Sequence, residues 1–413
     1  FFLNLQWFIS RKLLKGCEKE AVSVPFVKIA VVGIDLGVCV MLLSVFIVTG
    51  FKKEITAKLS GFSSHLNVTA YENNNSYSGS EIRVNDTLLN GIRRMSSLKQ
   101  VYPYVTMPAI LKSKSEIHGV VLKGVDSAYL PDFYLKHLKS GEYPDLKTPK
   151  ASNDILISVS VAQMLGVEPG EKVRAHFVQD PPRVRVFQVK GIYDTGFREY
   201  DDMIVLCDLR HLQKLNGWEA DQVSAVGIEL EDMEEIPEKE AELDAILPVA
   251  GEDGFYKITS LWETATQIFD WLNLINMNVW VILTLIVVVA GFNMVSGLLI
   301  FILDKTALIG ILKAMGCRNV SLKRVFLYVA LGLIGRGMIA GNVLALVLGG
   351  IQYYFRLIRL DPLSYYMDTV PVYFNIWYIL LLNAGVWCIS VLMLLAPAML
   401  VSRITPIKAI RFE

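Results

Sequence analysis

The 413-residue chain balances 40 Lys and Arg against 40 Asp and Glu and is 53% hydrophobic. Zero net charge argues against a nucleic-acid partner, which favours a strongly basic chain. The charges are spread through the middle and nearly absent from four long apolar blocks, a segregation that marks a membrane protein carrying a soluble domain.

In chain order, residues 1–28 form a basic segment and 29–50 the first apolar block. Crossing a bilayer takes ~20 helical residues, and the block is long enough. It exceeds a signal-peptide core of about 7–15 residues and no A-x-A-like site follows, so it reads as a retained anchor. Residues 51–273 make a large polar domain with a stalk at each end. Blocks at 274–303, 325–355 and 372–401 complete four spans, with loops at 304–324 and 356–371 and a tail at 402–413. Lys and Arg cluster before the first span (Arg11, Lys12, Lys15, Lys19, Lys28), between the second and third (Lys305, Lys313, Arg318, Lys323, Arg324) and after the fourth (Arg403, Lys408, Arg411). The positive-inside rule puts these three segments in the cytoplasm and the large domain and the 356–371 loop outside. Cys207 is then the one cysteine outside, so the outer domain cannot form an internal disulfide and needs an ordinary packed core.

Within the outer domain, Phe51–Leu59 continues the first span as a stalk, and YENNNSYSGS at 71–80 is a loop by composition. Val101–Val125 reads as paired strands around a Ser113–Glu116 turn. Tyr129–Lys150, irregular and rich in Pro, Tyr and Lys, reads as a boundary between two lobes. Strands are expected at Asp154–Ile157, Val173–Val178, Arg183–Tyr193, Met203–Cys207, Val223–Leu230 and Phe255–Ile258. Helices are expected at Val159–Leu165 (closed by Gly166), Arg210–Leu215 and Pro237–Leu247. A helix from about Thr264 is expected to run unbroken into the second span. The fold class is therefore membrane α-helical, four transmembrane helices with an α+β domain inserted between the first and second.

No catalytic chemistry stands out. GVEPGEKV lacks the G-x-x-x-x-G-K-[ST] spacing and follows a helix rather than a strand. His65, His118, His137, His176 and His211 are scattered without metal-ligand spacing. The chain reads as having no catalytic, cofactor-binding or metal residues.

Other features carry mechanism. In the 304–324 loop, Leu308, Ile311, Leu312 and Met315 fall at i, i+3, i+4 and i+7, one apolar face of a short helix that Gly316 can cap. That pattern fits a helix lying on lipid or a knob docking into a groove on a partner. Gly337, Gly341, Ala345 and Gly349, four apart in the third span, form a small stripe for close helix packing, either within the chain or at a subunit interface. Asp35, Arg336 and Asn293 are polar groups inside spans. Asp35 and Arg336 are expected to face the bundle interior or a polar cavity, because an unpaired intramembrane charge costs at least ~2.5 kcal/mol.

Four stretches resemble a known family: VVGIDLGVCVMLLSVFIVTGFKKEI, the second span with VVVAGFNMVSGL and IGILKAMG, the C-terminal LLAPAMLVSRITPIKAIRFE, and the outer ISVSVAQMLGVEPGEKV with VFQVKGIYDTGFREYDDMIVL. The chain resembles permeases of the mechanotransmissive (FtsX/MacB-like) ABC transporters, most of all the transmembrane subunits of lipoprotein-releasing systems (LolC/LolE type). The resemblance implies an inner-membrane protein with a periplasmic outer domain. It implies a cytoplasmic ABC ATPase dimer that binds ATP and Mg and docks on Thr306, Leu308, Ile309, Ile311, Leu312, Lys313, Met315 and Gly316, and a second permease copy or paralogue. It implies lipoprotein cargo passed to a periplasmic carrier protein, with the outer domain driven mechanically from the ATPase. A protruding loop catches the carrier in such permeases. The matching turn here, Gln179, Asp180, Pro181, Pro182, Arg183 and Arg185, is short and also fits the subunit role without a hook. Efflux of a drug, peptide or other amphiphile, and non-transporting control of a periplasmic partner, remain as alternatives.

Overall fold

In a computed structural model the described residues are 5–16, 24–71, 79–179, 181–247 and 256–403. Asp180, most of the 71–80 loop, the start of the strand expected at Phe255 and the last ten residues of the C-terminal signature fall outside them. The chain divides into two units. One comprises residues 1–52, 271–358 and 369–413, the other 53–270 and 359–368.

Two helices open the chain, α1 (Leu5–Gly16) and α2 (Val24–Phe62). The outer unit follows with β1 (Leu66–Ala70), β2 (Ile82–Arg83), α3 (Asp86–Arg93), β3 (Leu98–Lys112), β4 (Ile117–Val125), α4 (Asp132–Lys136) and β5 (Leu138–Gly141). It continues with β6 (Asp154–Ser158), α5 (Val159–Leu165), β7 (Lys172–Phe177), β8 (Arg183–Tyr193), α6 (Arg198–Asp201), β9 (Ile204–Asp208) and α7 (Leu209–Asn216). The last elements are β10 (Gln222–Val223), β11 (Ala225–Leu230), α8 (Ile236–Ile246), β12 (Tyr256–Ser260) and α9 (Leu261–Thr264). The membrane helices resume with α10 (Thr266–Asp304), α11 (Thr306–Ala314) and α12 (Asn319–Phe355), then the one-turn α13 (Pro362–Tyr365) and α14 (Ile376–Arg403).

Among the described residues, α2, α10, α12 and α14 are the four helices long and apolar enough to cross a membrane. On α10, Leu274, Met277, Trp280, Val281, Leu285, Val289 and Phe292 are exposed, as apolar side chains facing lipid would be. Tyr353, Tyr354, Trp377 and Tyr378 are exposed where α12 ends and α14 begins, the aromatic belt of a membrane–water boundary.

The outer unit does not divide into two lobes at Tyr129–Lys150. The fifteen-residue β3 is shared: its first half pairs with β11 and its last three residues with β7, while β4 runs along its other edge. β7 pairs with β8, β8 with β6, β6 with β9, and β9 with β4, so six strands close into a ring. Closure removes the exposed edges that separate lobes would have. Leu111, Ala175, Val173, Phe187, Val189, Ile157 and Val205 fill its inside at 0–1% exposure. From β3 the sheet extends through β11 and β1 to β12.

The local elements follow from side-chain chemistry. Ser158 caps α5 by accepting from the Val161 amide at 3.0 Å, and Gly166 ends it in the left-handed region. The helix expected from about Thr264 runs unbroken into the second span as α10, starting at Thr266, and a turn at Ala265, at φ −114°, ψ 35°, separates it from α9. The hydroxyls of Thr264 and Thr266 donate to the Ser260 and Glu263 carbonyls, 3.1 and 2.8 Å away, competing with the helical ladder at that point.

Candidate functional site

The short helix α11, between the second and third spans, closes as the sequence suggests. Gly316 takes φ 89°, its amide donates to the Lys313 carbonyl, and the Cys317 amide donates to that of Leu312, each at 3.0 Å. This double return is a Schellman ending. The expected apolar face is split in two. Ile309 is fully buried in the helix bundle and Leu312 packs against it, whereas Ile311 and Met315 are 51% and 71% exposed. Ala307, Ile311, Ala314 and Met315 thus form an uncovered apolar edge, and Thr306, Leu308 and Lys313 flank it half-buried.

Inside the bundle, the small stripe is covered by the chain itself. Gly337, Gly341, Ala345 and Gly349 are all buried. A β-carbon on Gly341 would lie 2.5 Å from the Asp35 carbonyl oxygen, and one on Gly337 3.0 Å from that of Val31, so the backbones of α2 and α12 touch there. Because Ile334, Gly337, Met338 and Gly341 take the inward positions, Arg336 falls on the exposed flank of α12 rather than in the interior. Asn293 is also exposed, and a β-carbon on Gly33 would lie 3.4 Å from its Nδ2. Asp35 is half-buried, and its Oδ1 is buried without a hydrogen bond. Sequence reasoning missed a neutral pair. Asn342 and Asn383 exchange amide hydrogen bonds of 2.7 and 2.8 Å between α12 and α14, and each donates its second proton to its own helix at Met338 and Ile379.

In the outer unit, the connection from β7 to β8 is short, with Asp180 in it outside the described residues. The Gln179 side chain donates to Asn216 Oδ1 at 3.3 Å, and Arg183 donates to the Leu215 carbonyl at 2.6 Å, tying the turn to the end of α7. Pro181 and Pro182 are exposed and Arg185 is half-buried. Beside the turn, the outward side of β4, β3, β7 and β8 carries exposed Ile110, Ile117, Val184 and Val186 among Lys112, Lys172 and Arg174. An open groove of about 310 Å³, lined by Pro108, Ile110, Gly119, Val121 and Val178, runs along it.

Both stalks leave from one edge of the sheet. β1, just after α2, pairs antiparallel with β12, which leads through α9 into α10, with Leu66 opposite Ser260. Phe62, the last residue of α2, lies within an aromatic box. Its ring stacks on Tyr200 at 5.1 Å and meets Phe133 and Tyr134 edge-on at 5.2 and 6.1 Å. Lys123 on β4 is 3% exposed, and its Nζ donates to the Phe62 carbonyl at 2.7 Å and to Tyr102 Oη at 3.3 Å. The ammonium also lies 4.9 Å from the Tyr104 ring centroid, and Ser64 Oγ donates to Tyr102 Oη at 2.8 Å. Burial pushes the Lys123 pKa down to about 8, against the opposing field of Glu229. Near α2's last turns, Lys58 Nζ donates to the Tyr366 carbonyl at 3.2 Å, and the Tyr366 ring meets Phe197 edge-on at 4.9 Å. Residues 359–368, between the third and fourth spans, therefore fold as part of the outer unit.

Residues 29–246 match the MacB-like periplasmic core domain, and residues 280–406 match the FtsX-like permease C-terminal family. The chain belongs to the FtsX/MacB-like ABC permeases. It is a multi-pass membrane protein with a periplasmic core domain, and membership of this family implies an ATPase partner. The permease is similar to the lipoprotein-releasing system transmembrane protein LolC of Neisseria meningitidis serogroup B, at 25% identity over 99% of this chain and 100% of that protein. It is similar to LolE of Haemophilus influenzae at 21% identity over 99% of each. The crystal structure of the periplasmic region of MacB from Actinobacillus actinomycetemcomitans aligns at a TM-score of 0.37 and 13% identity, over 51% of this chain and 95% of that one.

Proposed function

We propose that this permease is the membrane subunit of an ATP-driven complex that extracts lipoproteins from the inner membrane and hands them to a periplasmic carrier. The observation that carries the reading is full-length likeness to lipoprotein-releasing subunits, outer domain included. The termini and α11 lie in the cytoplasm, and the uncovered edge of α11 receives a separate ABC ATPase dimer, which binds ATP and Mg and does the hydrolysis. A second copy or paralogue of the permease completes the complex. The short turn at 179–185 and the aliphatic, basic sheet face beside it form the candidate surface for the carrier. Depletion of the permease tests the reading. Lipoproteins accumulating in the inner-membrane fraction support it. Normal lipoprotein sorting with drug sensitivity points to efflux instead, and normal sorting with filamentous cells points to control of cell division.

A further inference from the structure

A buried cation is costly, and evolution of a stable domain has no need of one where a Met or Leu would pack. Lys123 is such a cation, and among the described residues no carboxylate bonds it. Its partners are a helix-terminal carbonyl, a tyrosine hydroxyl and two tyrosine faces. The carbonyl is the informative one. The last carbonyls of a helix have no partner within it and carry the negative end of the macrodipole, so an ammonium there is held by both hydrogen bond and field. Phe62 ends α2, the helix that contains the first membrane span, while Lys123 sits in β4, within the ring of strands. The attachment therefore joins the end of a membrane helix to the centre of the sheet, by a bond that water does not reach.

We propose that Lys123 is a positioning residue for the mechanical cycle, gripping the end of α2 so that displacement of that helix moves the β-sheet with it. The inference rests on the ATP-driven function proposed above, taken as acting through movement of the outer unit, but not on the identity of the cargo. Around the grip, Phe62 is boxed by aromatic rings and Ser64 bonds the same tyrosine that Lys123 bonds. These contacts hold the helix end in place at rest. The Lys123 bond adds a directional, charged link, which resists sliding better than ring contacts do.

The test uses the full permease with its ATPase in proteoliposomes. Spin labels at Lys52 and Lys172, in a chain with its native cysteines replaced by alanine, report the distance change between ADP and a non-hydrolysable ATP analogue. In Lys123→Met the change is expected to fall by more than half, while ATP hydrolysis stays within twofold and the protein remains folded. Release of a tagged triacylated lipoprotein to a soluble carrier, per ATP hydrolysed, is expected to fall at least tenfold. An unchanged distance response in Lys123→Met overturns the proposal. So does a loss of hydrolysis in step with release, which is the mark of a merely structural residue. A Lys123-dependent movement without any lipoprotein release leaves the grip standing and overturns the cargo instead.

Discussion

Replacing both Ile311 and Met315 by alanine should weaken ATPase docking without weakening the permease. Full burial of an aliphatic side chain is worth about 1.5–3 kcal/mol. Ile311 still has 51% of its surface to bury and Met315 71%. About half of one side chain and two-thirds of the other then give ~2–3 kcal/mol at the interface, about 30- to 150-fold in affinity. Neither side chain is in the bundle core, and alanine favours the helix, so thermal unfolding should be unchanged. The assay is titration of the purified ATPase onto permease in nanodiscs, read as binding and as hydrolysis. Ile309→Ala is the contrast: it removes a fully buried side chain and should cost about 2–5 kcal/mol of stability. Binding of the double variant within threefold of wild type would refute the assignment of this edge as the docking surface.

Gly341→Ala should destabilise the bundle by about 1–3 kcal/mol, because its β-carbon meets a backbone carbonyl at 2.5 Å, whereas Gly335→Ala, which meets nothing, should be neutral or stabilising; thermal unfolding in detergent reads both. Asn342→Leu alone should cost about 1–2 kcal/mol by orphaning Asn383, and adding Asn383→Leu should recover most of it in the same measurement. Asp201 is buried, and desolvation raises its carboxyl to about pH 6 despite two bonds from Thr195. The unfolded carboxyl titrates near its ordinary value of 3.8, so between that pH and about 6 the folded state holds a proton that the unfolded one lacks. Its contribution is therefore most favourable below that window and is lost as pH rises through 6. Asp201→Asn should flatten this part of the stability–pH curve and raise stability at pH 7.5, with no such change sinking the assignment.

The spans were legible because a bilayer demands long uncharged runs, and the rhythm from β6 to α8 because alternation and caps such as Ser158 and Gly166 are local signals. The ring was not legible. It depends on β3 exchanging one partner for another along a single edge, at Tyr104 and again at Ile110, and such register has no local signature. Lys123 was hidden for a related reason. Paired strands were legible over Val101–Val125, but not that β4 is covered on both sides from Val120 to Val125. A lysine within an unbroken apolar run was the available signal. In the spans, attention to charge favoured Arg336, which lies outside the packed stripe, over Asn342 and Asn383, whose reach across two helices shows only when their faces are known.

The outer unit takes in three pieces of chain that lead to membrane helices, and they differ in kind. α2 enters it as helix, ending in the Phe62 box. α10 follows it after a break at Ala265, through strand β12, which pairs with the strand that succeeds α2. The third is the 359–368 segment, which is neither helix nor strand over most of its length and is held by Lys58 and Phe197. It contains Tyr366 at φ 59°, in the left-handed region. β1, which follows α2, and β12, which leads through α9 into α10, pair as one β-ladder, so the two helices are tied to adjacent strands. The segment between α12 and α14 joins through α2's own last turns. Two of the attachments therefore lie in the last turns of α2, at Lys58 and in the Phe62 box, and the third is the β1–β12 ladder that begins at Leu66.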